Sequence, residues 1–291
     1  MEQLERGDPQ AVGSYTVSAR LGAGSAGTVY LARSAAGRPV ALKLVRGEAD
    51  HAFRARLRAE IANARAASWM SGTPVLDADP EAEPPWVARV FVPGVALSRA
   101  VAECGPLPEP VLIALVRELA VALLTVHGAG MVHRGVAPGK VLLAPDRLHL
   151  VERSVVARAA LGEDRAGYVN AANSPFLAPE QTQVRSVTSA ADMFSLGSTV
   201  YYAATGRPPF GGIGPELAAR ISKASPVLGF LPPSLAELIG ACLVKDPNAR
   251  ATARQVLDFV HRRGPAPLAE GWLPPPLSAE IAAQAAATAV M

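Results

Sequence analysis

Three glycines near the N-terminus and one lysine further along have the residue types and spacing of a phosphate-binding site. Gly22, Gly24 and Gly27 lie between two stretches of alternating apolar and polar residues. A glycine backbone can approach phosphate oxygens closely and offer its N–H groups to them. Lys43 ends the apolar run 40–43 and supplies a compact positive charge for the same oxygens. A purely structural hairpin beside a surface lysine is the alternative, and the apolar strand around Lys43 disfavours it.

The elements that must position these residues change in type near residue 94. Before that point, alternation and glycine turns predict strands, and one stretch has helical periodicity. After it, long apolar stretches that end at glycine predict buried helices. The predicted strands are 15–21, 27–33, 39–45 and 86–92, with a helix over 53–67; the later helices are 108–127, 189–205, 235–244 and 252–262, with a small hairpin at 141–143 and 148–151. The fold class is therefore α+β.

The C-terminal segment, 264–291, is a separate region of composition. A proline-rich piece covers 264–276, and an alanine-rich helix is predicted from 278 to about 288. The segment could serve as a ligand for a partner's groove. We expect it instead to pack on the helical part of the chain, because Trp272 and Leu273 would otherwise be exposed apolar surface.

The charge pattern disfavours a nucleic-acid-binding protein. The net charge is +3 and the pI about 9.1, and the excess is spread along the chain. Its densest basic stretch, Arg54, Arg56, Arg58 and Arg65, is interrupted by apolar residues at helical spacing. We interpret it as a solvated helix face.

The cysteines and the apolar segments indicate a soluble cytoplasmic protein. Cys104 and Cys242 lie far apart without a metal-ligand spacing, which is typical of a reducing compartment. The N-terminus lacks the apolar core of a secretion signal. The most apolar window, 111–126, contains Arg117 and Glu118 and is too short to span a bilayer, so it predicts a buried helix.

Five motifs in order resemble the bacterial Ser/Thr protein kinase family over about 13–263. They are the loop 22–29, similar to G-x-G-x-x-G-x-V; the strand 40–43, similar to V-A-I-K; the A-P-E triplet 178–180; Asp192, similar to the aspartate of helix F; and Arg250, similar to the arginine that pairs with the A-P-E glutamate. The resemblance implies a two-lobed protein-kinase-like fold, with a small β-rich N-lobe over about 13–92 and a larger helical C-lobe over about 95–263.

The resemblance also implies a set of site residues. The nucleotide-binding set is Leu21, Gly22, Gly24, Gly27, Val29, Ala41, Lys43, Glu60 and Val92, and the structural set is Glu180, Asp192 and Arg250. Glu60 corresponds to the helix-C glutamate that pairs with the strand lysine. Because arginines surround Glu60 in the sequence, a surface ion pair is its alternative role.

The catalytic loop departs from the family pattern H-R-D-x-x-x-x-N. The segment 133–140 carries Gly135 where the aspartate would accept the proton of the substrate hydroxyl. Lys140 replaces the metal-binding asparagine with a cation, which would repel Mg²⁺. A catalytic base is therefore missing from this loop.

Three further positions differ from the family. Glu152 and Arg153 fall at the D-F-G motif, where Glu152 retains a carboxylate that could hold a metal. Arg89 falls at the gatekeeper position, where it would fill space behind the adenine pocket or seek a buried acid such as Glu60 or Glu152.

These departures predict a pseudokinase that binds a protein partner and ATP, with Mg²⁺ disfavoured. Two alternatives stay open. One is an active Ser/Thr kinase with atypical residues, in which Lys43 and Glu152 are essential. The other is a nucleotide-free interaction domain whose pocket is filled by Arg89 and Arg153.

Overall fold

The structure is a computed structural model of the 291-residue chain and describes residues 1–24, 27–47, 49–66, 73–151, 174–182, 186–263 and 271–289. The described residues form two compact units. The first contains 1–93 and 280–289, and the second contains 94–151, 174–182, 186–263 and 271–279. The predicted order, a β-rich region followed by a helical one, is confirmed.

The first unit is built on a six-stranded antiparallel sheet with one long helix. The strand order is β1-β2-β3-β4-β6-β5. Its elements are β1 (Ala11–Val12), β2 (Tyr15–Gly24), β3 (Gly27–Arg33), β4 (Pro39–Val45), α1 (His51–Ala66), β5 (Val75–Asp79) and β6 (Trp86–Val90). Strands β1 and β5 were not predicted from the sequence.

The two faces of this sheet have different coverings. One carries a core of Val12, Tyr15, Val17, Tyr30, Ala32, Val40, Leu42, Trp86 and Ala88. On the other, Val45, Val75 and Val87 pack against Phe53, Leu57, Ile61 and Ala64 of α1. Leu57 is fully buried, and burying such a side chain stabilises the fold by about 1.5–3 kcal/mol.

The N-terminal segment is fastened to the sheet by one buried carboxylate. Asp8 accepts hydrogen bonds from Arg20 Nε and Nη2, each at 2.7 Å, and from the Tyr30 hydroxyl at 2.7 Å. The hydrogen bond from Arg20 lowers the pKa of Asp8 to about 2. The segment before β1 is therefore part of the first unit.

The second unit is mostly helical. A three-stranded antiparallel sheet, β7-β8-β9, lies near its start in the chain. Its elements are β7 (Val95–Ala96), α2 (Leu97–Cys104), α3 (Glu109–Gly128), β8 (Val141–Leu143), β9 (Leu148–Leu150), α4 (Pro179–Thr182), α5 (Ser189–Thr205), α6 (Gly214–Lys223), α7 (Pro233–Cys242), α8 (Ala253–Arg262) and α9 (Pro275–Ala289), the last of which continues into the first unit.

Helix α3 is a central element of this unit. It packs against α5 and α8, and its buried residues are Val111, Leu112, Ala114, Leu115, Val116, Leu119, Ala120 and Leu123. By length and composition alone, its 20 residues are enough to cross a membrane, so the expectation that the segment is too short was wrong. Burial inside the unit agrees with the other half of that expectation, a core helix.

The C-terminal segment corrects the expectation that all of it packs on the helical lobe. Trp272 Nε1 donates to the Pro145 carbonyl at 3.3 Å within the second unit. Residues 280–289 of α9 instead group with the first unit. There the guanidinium of Arg33 donates to the carbonyls of Ala287 and Thr288, which are unsatisfied at the helix end.

Candidate functional site

The glycine loop connects β2 and β3 in the first unit. At Gly27 an added Cβ would lie 2.0 Å from the carbonyl oxygen of Leu44, and the backbone φ is +135°, so only glycine fits. At Gly22 and Gly24 an added Cβ would meet nothing within 4 Å. The absence of side chains there is not required by internal packing, and it leaves the backbone accessible. This arrangement fits a loop that a phosphate group approaches closely.

Strand register places four predicted site residues on one face of the sheet. Val29 pairs with Lys43, and Ala41 pairs with Arg89. Side chains directly opposite each other in antiparallel strands share a face, and so do residues two apart in one strand. Val75 pairs with Arg89 and therefore lies on this face too. Because Val75 packs in one core with residues of α1, the helix covers the same face. The lysine therefore stands on the helix side of the sheet.

The remaining members of the predicted nucleotide set also lie in the first unit. Glu60 is half-buried on α1, Leu21 is half-buried on β2, and Val92 is half-buried just after β6 ends at Val90. Lys43 is half-buried on β4. Glycine loop, lysine strand and glutamate helix thus belong to one compact unit.

Arg89 has a backbone partner that the sequence did not suggest. Its Nη1 donates to the carbonyl oxygen of Thr73 at 2.9 Å, just before β5 begins. Glu60 and Glu152 were the acidic partners predicted for it. The Thr73 carbonyl holds one nitrogen of the guanidinium beside the edge strand, and Glu152 lies outside the described residues.

A buried aspartate organises the loop 131–137 in the second unit. Asp192 of α5 accepts the backbone N–H of His133 on Oδ2 at 2.7 Å and that of Arg134 on Oδ1 at 2.6 Å. Its side chain is fully buried. Arg134 has a φ of +60°, a left-handed conformation that costs a non-glycine residue about 1–3 kcal/mol. The carboxylate therefore stabilises a strained stretch of backbone.

The residue that follows this anchored stretch has no side chain. Gly135 is half-buried directly after Arg134. Lys140 ends a short 3₁₀ turn, Pro138–Lys140, and its carbonyl accepts the N–H of Val151 at 2.7 Å. The loop is thus held by backbone contacts on both sides of the position that lacks a carboxylate.

A bidentate ion pair joins α4 to the chain after α7. Arg250 Nη1 and Nη2 donate to the two carboxylate oxygens of Glu180 at 2.7 and 3.0 Å. The arginine side chain is fully buried. It also donates to the carbonyls of Ala190, Val244 and Lys245 at 2.7, 2.8 and 3.0 Å. The structure thus brings together the two residues that the resemblance pairs.

The surroundings of Arg250 are apolar. Burial raises the pKa of Cys242 to about 12, so this free thiol is protonated at neutral pH. Burial also lowers the pKa of Lys245 to about 8, and its Nζ lies 3.9 Å from the centre of the Phe210 ring. Cys242 is therefore a packing residue.

Two residues of the Asp192 network were missed by sequence reasoning. His127 Nε2 lies 2.9 Å from Asp192 Oδ2, and Gln181 Nε2 donates to the Arg134 carbonyl at 3.4 Å. The sequence offered one signal for each residue: His127 is the last residue of the apolar helical pattern of α3, and Gln181 directly follows the A-P-E triplet. Glu152 and Arg153, the predicted metal ligand and pocket residue, lie outside the described residues.

Comparison with known proteins gives consistent matches. The model of the protein kinase domain matches residues 15–260. Serine/threonine-protein kinase AfsK of Streptomyces griseus is 40% identical over 294 residues, covering 97% of this chain and 36% of that protein. AfsK of Streptomyces coelicolor is 41% identical over 256 residues, covering 86% and 32%. The probable serine/threonine-protein kinase PkwA of Thermomonospora curvata is 38% identical over 282 residues, covering 96% and 38%.

Among solved structures, Rad53 1–466 in complex with AMP-PNP matches with a TM-score of 0.70 and 21% identity, covering 90% of this chain and 66% of that one. This likeness shows the fold, a β-sheet N-lobe and a helical C-lobe. The chain spans about a third of the length of the curated relatives. With a family model covering most of its residues and relatives near 40% identity, the chain belongs to the protein kinase domain family.

Proposed function

We propose that this protein is a pseudokinase: it binds ATP, transfers the γ-phosphoryl group inefficiently or not at all, and acts through a protein partner. The observation that carries the proposal is Gly135. Asp192 fixes the backbone of the two preceding residues, so the loop is built to present residue 135, and that residue is a glycine.

The missing carboxylate removes one defined step. In family members, the loop aspartate accepts the proton of the substrate hydroxyl. The oxygen of that hydroxyl attacks the γ-phosphorus, and the bond from the γ-phosphorus to the β–γ bridging oxygen breaks. Positioning and electrostatics supply most of the acceleration, so loss of the base alone would leave slow transfer. Here the metal-binding amide is also replaced, by Lys140. Two independent contributions to the reaction are therefore altered together.

Nucleotide binding has its own support in the first unit. The open backbone at Gly22 and Gly24 fits a phosphate group, and Lys43 stands on the strand next to the loop. Lys140 does not fit a Mg²⁺ site, because an ammonium group cannot ligate a metal ion and repels it. Lys140 would instead bring positive charge of its own to the position that the resemblance assigns to the metal-binding asparagine. We therefore propose ATP binding that does not require Mg²⁺.

Titration with ATP is expected to raise the melting temperature about equally in Mg²⁺ and in EDTA. At a ligand concentration of 100 times Kd the stabilisation is about 2.7 kcal/mol. Lys43→Met should abolish most of it, because the cation for the phosphates is lost. Lys223→Met, at an exposed lysine of α6, is the matched control and should leave the shift intact. Differential scanning fluorimetry measures the titrations of all three proteins in both conditions.

No shift in either condition would contradict nucleotide binding. A shift gained by Arg89→Thr would then favour the alternative of an occluded pocket. A shift seen only with Mg²⁺ would contradict the metal-independent form of the proposal.

Incubation with radiolabelled ATP is expected to give little or no phosphate incorporation above that of the Lys43→Met variant. Generic protein substrates and the chain itself serve as acceptors, and each wild-type rate is compared with that of Lys43→Met. The second candidate function, a Ser/Thr protein kinase, is favoured by the kinases that this chain resembles at 38–41% identity. Transfer by the wild-type protein at about 1–100 s⁻¹, the usual range of protein kinases, that Lys43→Met removes would establish that alternative and overturn the pseudokinase proposal.

A further inference from the structure

Arg54 of α1 is bound to the turn between β5 and β6. Its Nη1 donates to the carbonyls of Pro80 and Ala82 at 2.7 and 2.8 Å, and its Nη2 donates to Glu83 Oε2 at 2.6 Å. Its Nε donates to the Ala49 carbonyl at 3.0 Å, just before the helix begins. The interpretation of Arg54 as part of a solvated helix face was therefore wrong. Only 14% of its side chain is exposed.

The turn that receives Arg54 is itself fixed. Asp79 Oδ1 accepts the backbone N–H groups of Glu81 and Ala82, both at 2.9 Å. This local arrangement orders residues 79–82 and holds the Ala82 carbonyl in place. On the other side, Asp50 Oδ1 accepts the N–H of Phe53 at 2.7 Å at the start of α1. Arg54 thus joins two segments that are each ordered by their own contacts.

Two other arginines of α1, Arg58 and Arg65, have weaker attachments to the same hairpin. Arg58 pairs with Glu81, but both side chains are about half exposed, at 49% and 56%. Arg65 Nη2 lies 4.0 Å from Asp77 Oδ1, and both of these side chains are also about half exposed. Exposed ion pairs contribute little, whereas the shielded guanidinium of Arg54 must leave three acceptors on the turn when the helix moves, two carbonyls and one carboxylate oxygen. Arg54 is therefore the principal polar attachment among these three arginines.

The same helix carries Glu60 on the face of the sheet that holds Lys43. Phe53, Leu57 and Ile61 pack against the sheet and set the distance of α1 from it. Apolar contacts are not directional, and they allow a helix to slide or rotate. The fork of Arg54 supplies the directional contact that fixes the helix along its axis.

We propose that Arg54 is a positioning residue, which locks α1 to the β5–β6 turn and thereby holds Glu60 in place for the lysine of the phosphate site. The link to phosphate rests on the proposed function. The lock itself does not, because it concerns only contacts within the first unit. Two measurements on the full chain separate the two parts.

Hydrogen exchange in the absence of nucleotide tests the lock. In Arg54→Met, amides of α1 are expected to exchange about 10-fold faster or more, since the hydrogen bonds that oppose its displacement are lost. Arg58→Met on the same helix is the matched control and should change these rates by less than about twofold. Arg54→Lys keeps the charge but cannot span the carbonyls, so it should resemble Arg54→Met. If exchange in α1 is equal in all variants, or faster also in Arg58→Met, the proposal is overturned.

Affinities for ATP and adenosine, measured well below the melting temperature, test the link to the phosphate site. Arg54→Met should weaken ATP about 10-fold and adenosine by less than about twofold, because adenosine has no phosphates to contact Lys43. Equal weakening of both ligands would indicate general damage and would overturn the positioning role, as would unchanged ATP affinity. If the wild-type protein binds no ATP, the proposed function fails, and the exchange rates alone decide for or against the lock.

Discussion

Arg250→Met is expected to lower the free energy of unfolding by about 3–5 kcal/mol, the usual cost of breaking a buried ion pair from one side. The substitution keeps most of the side-chain volume but removes all five hydrogen bonds that the guanidinium donates. Glu180 is only 5% exposed and would be left as a buried carboxylate without its bidentate partner. Urea denaturation followed by circular dichroism gives the change.

Two comparisons identify the cause of that loss. Arg254→Met, at an exposed position of α8, should change stability by no more than about 0.5 kcal/mol. Adding Glu180→Gln to Arg250→Met should recover part of the loss, because the unpaired charge is removed. The coupling between the two sites is expected to be about 0.5–3 kcal/mol. If Arg250→Met costs no more than Arg254→Met, the pair is not a structural determinant of this unit.

Element boundaries were predictable where a local signal ends the element. The 17-residue helix α5 begins and ends as the sequence predicts, because its apolar run stops at Gly206, which adopts a φ of 74° at the helix C-cap. For α8, Thr252 accepts the N–H of Gln255 in a capping box, a signature that the sequence also carries. These signals lie within a few residues of the boundary that they set.

Boundaries set by a pairing partner were missed. The sequence continues the apolar pattern of β6 through Phe91 and Val92, but the strand ends at Val90, which pairs with Val40 at the start of β4. Strand β5 contains two aspartates and has weak strand propensity by itself, and it forms by pairing with β6 at the edge of the sheet. Neither the end of β6 nor the presence of β5 follows from the residues of the strand itself.

The site shows the same division. The glycine loop and the lysine strand could be named from the sequence because each resembles a contiguous motif. The two residues of the buried pair could be named because each lies in or beside such a motif. The carbonyl partners of Arg54 and Arg89 could not, because the fold of β5 and β6 brings them near. A carbonyl has no sequence signature, so only the fold reveals it. The contact of His127 with Asp192 likewise joins two residues that are 65 positions apart in the chain and lie on different helices.

Asp192→Asn is expected to lower the free energy of unfolding by about 3 kcal/mol and to release the loop 131–137. The side chain is fully buried and faces only donors: the N–H groups of His133 and Arg134, and His127 Nε2. An asparagine of the same shape must turn its NH₂ group toward one side and leave that donor unpaired. Each charge-assisted hydrogen bond lost costs about 1.5–3 kcal/mol. Urea denaturation measures the total.

The distribution of the effect distinguishes an anchor from a general packing residue. Because Arg134 adopts its strained backbone only while the carboxylate holds it, the amides of residues 133 and 134 should exchange far faster in Asp192→Asn, while those of α5 change little. Asp258→Asn, at an exposed position of α8, is the matched control and should leave both unchanged. Uniformly faster exchange across α5 and the loop would contradict the anchoring role. If the loop alone is released, Asp192 is the anchor of the loop that contains Gly135.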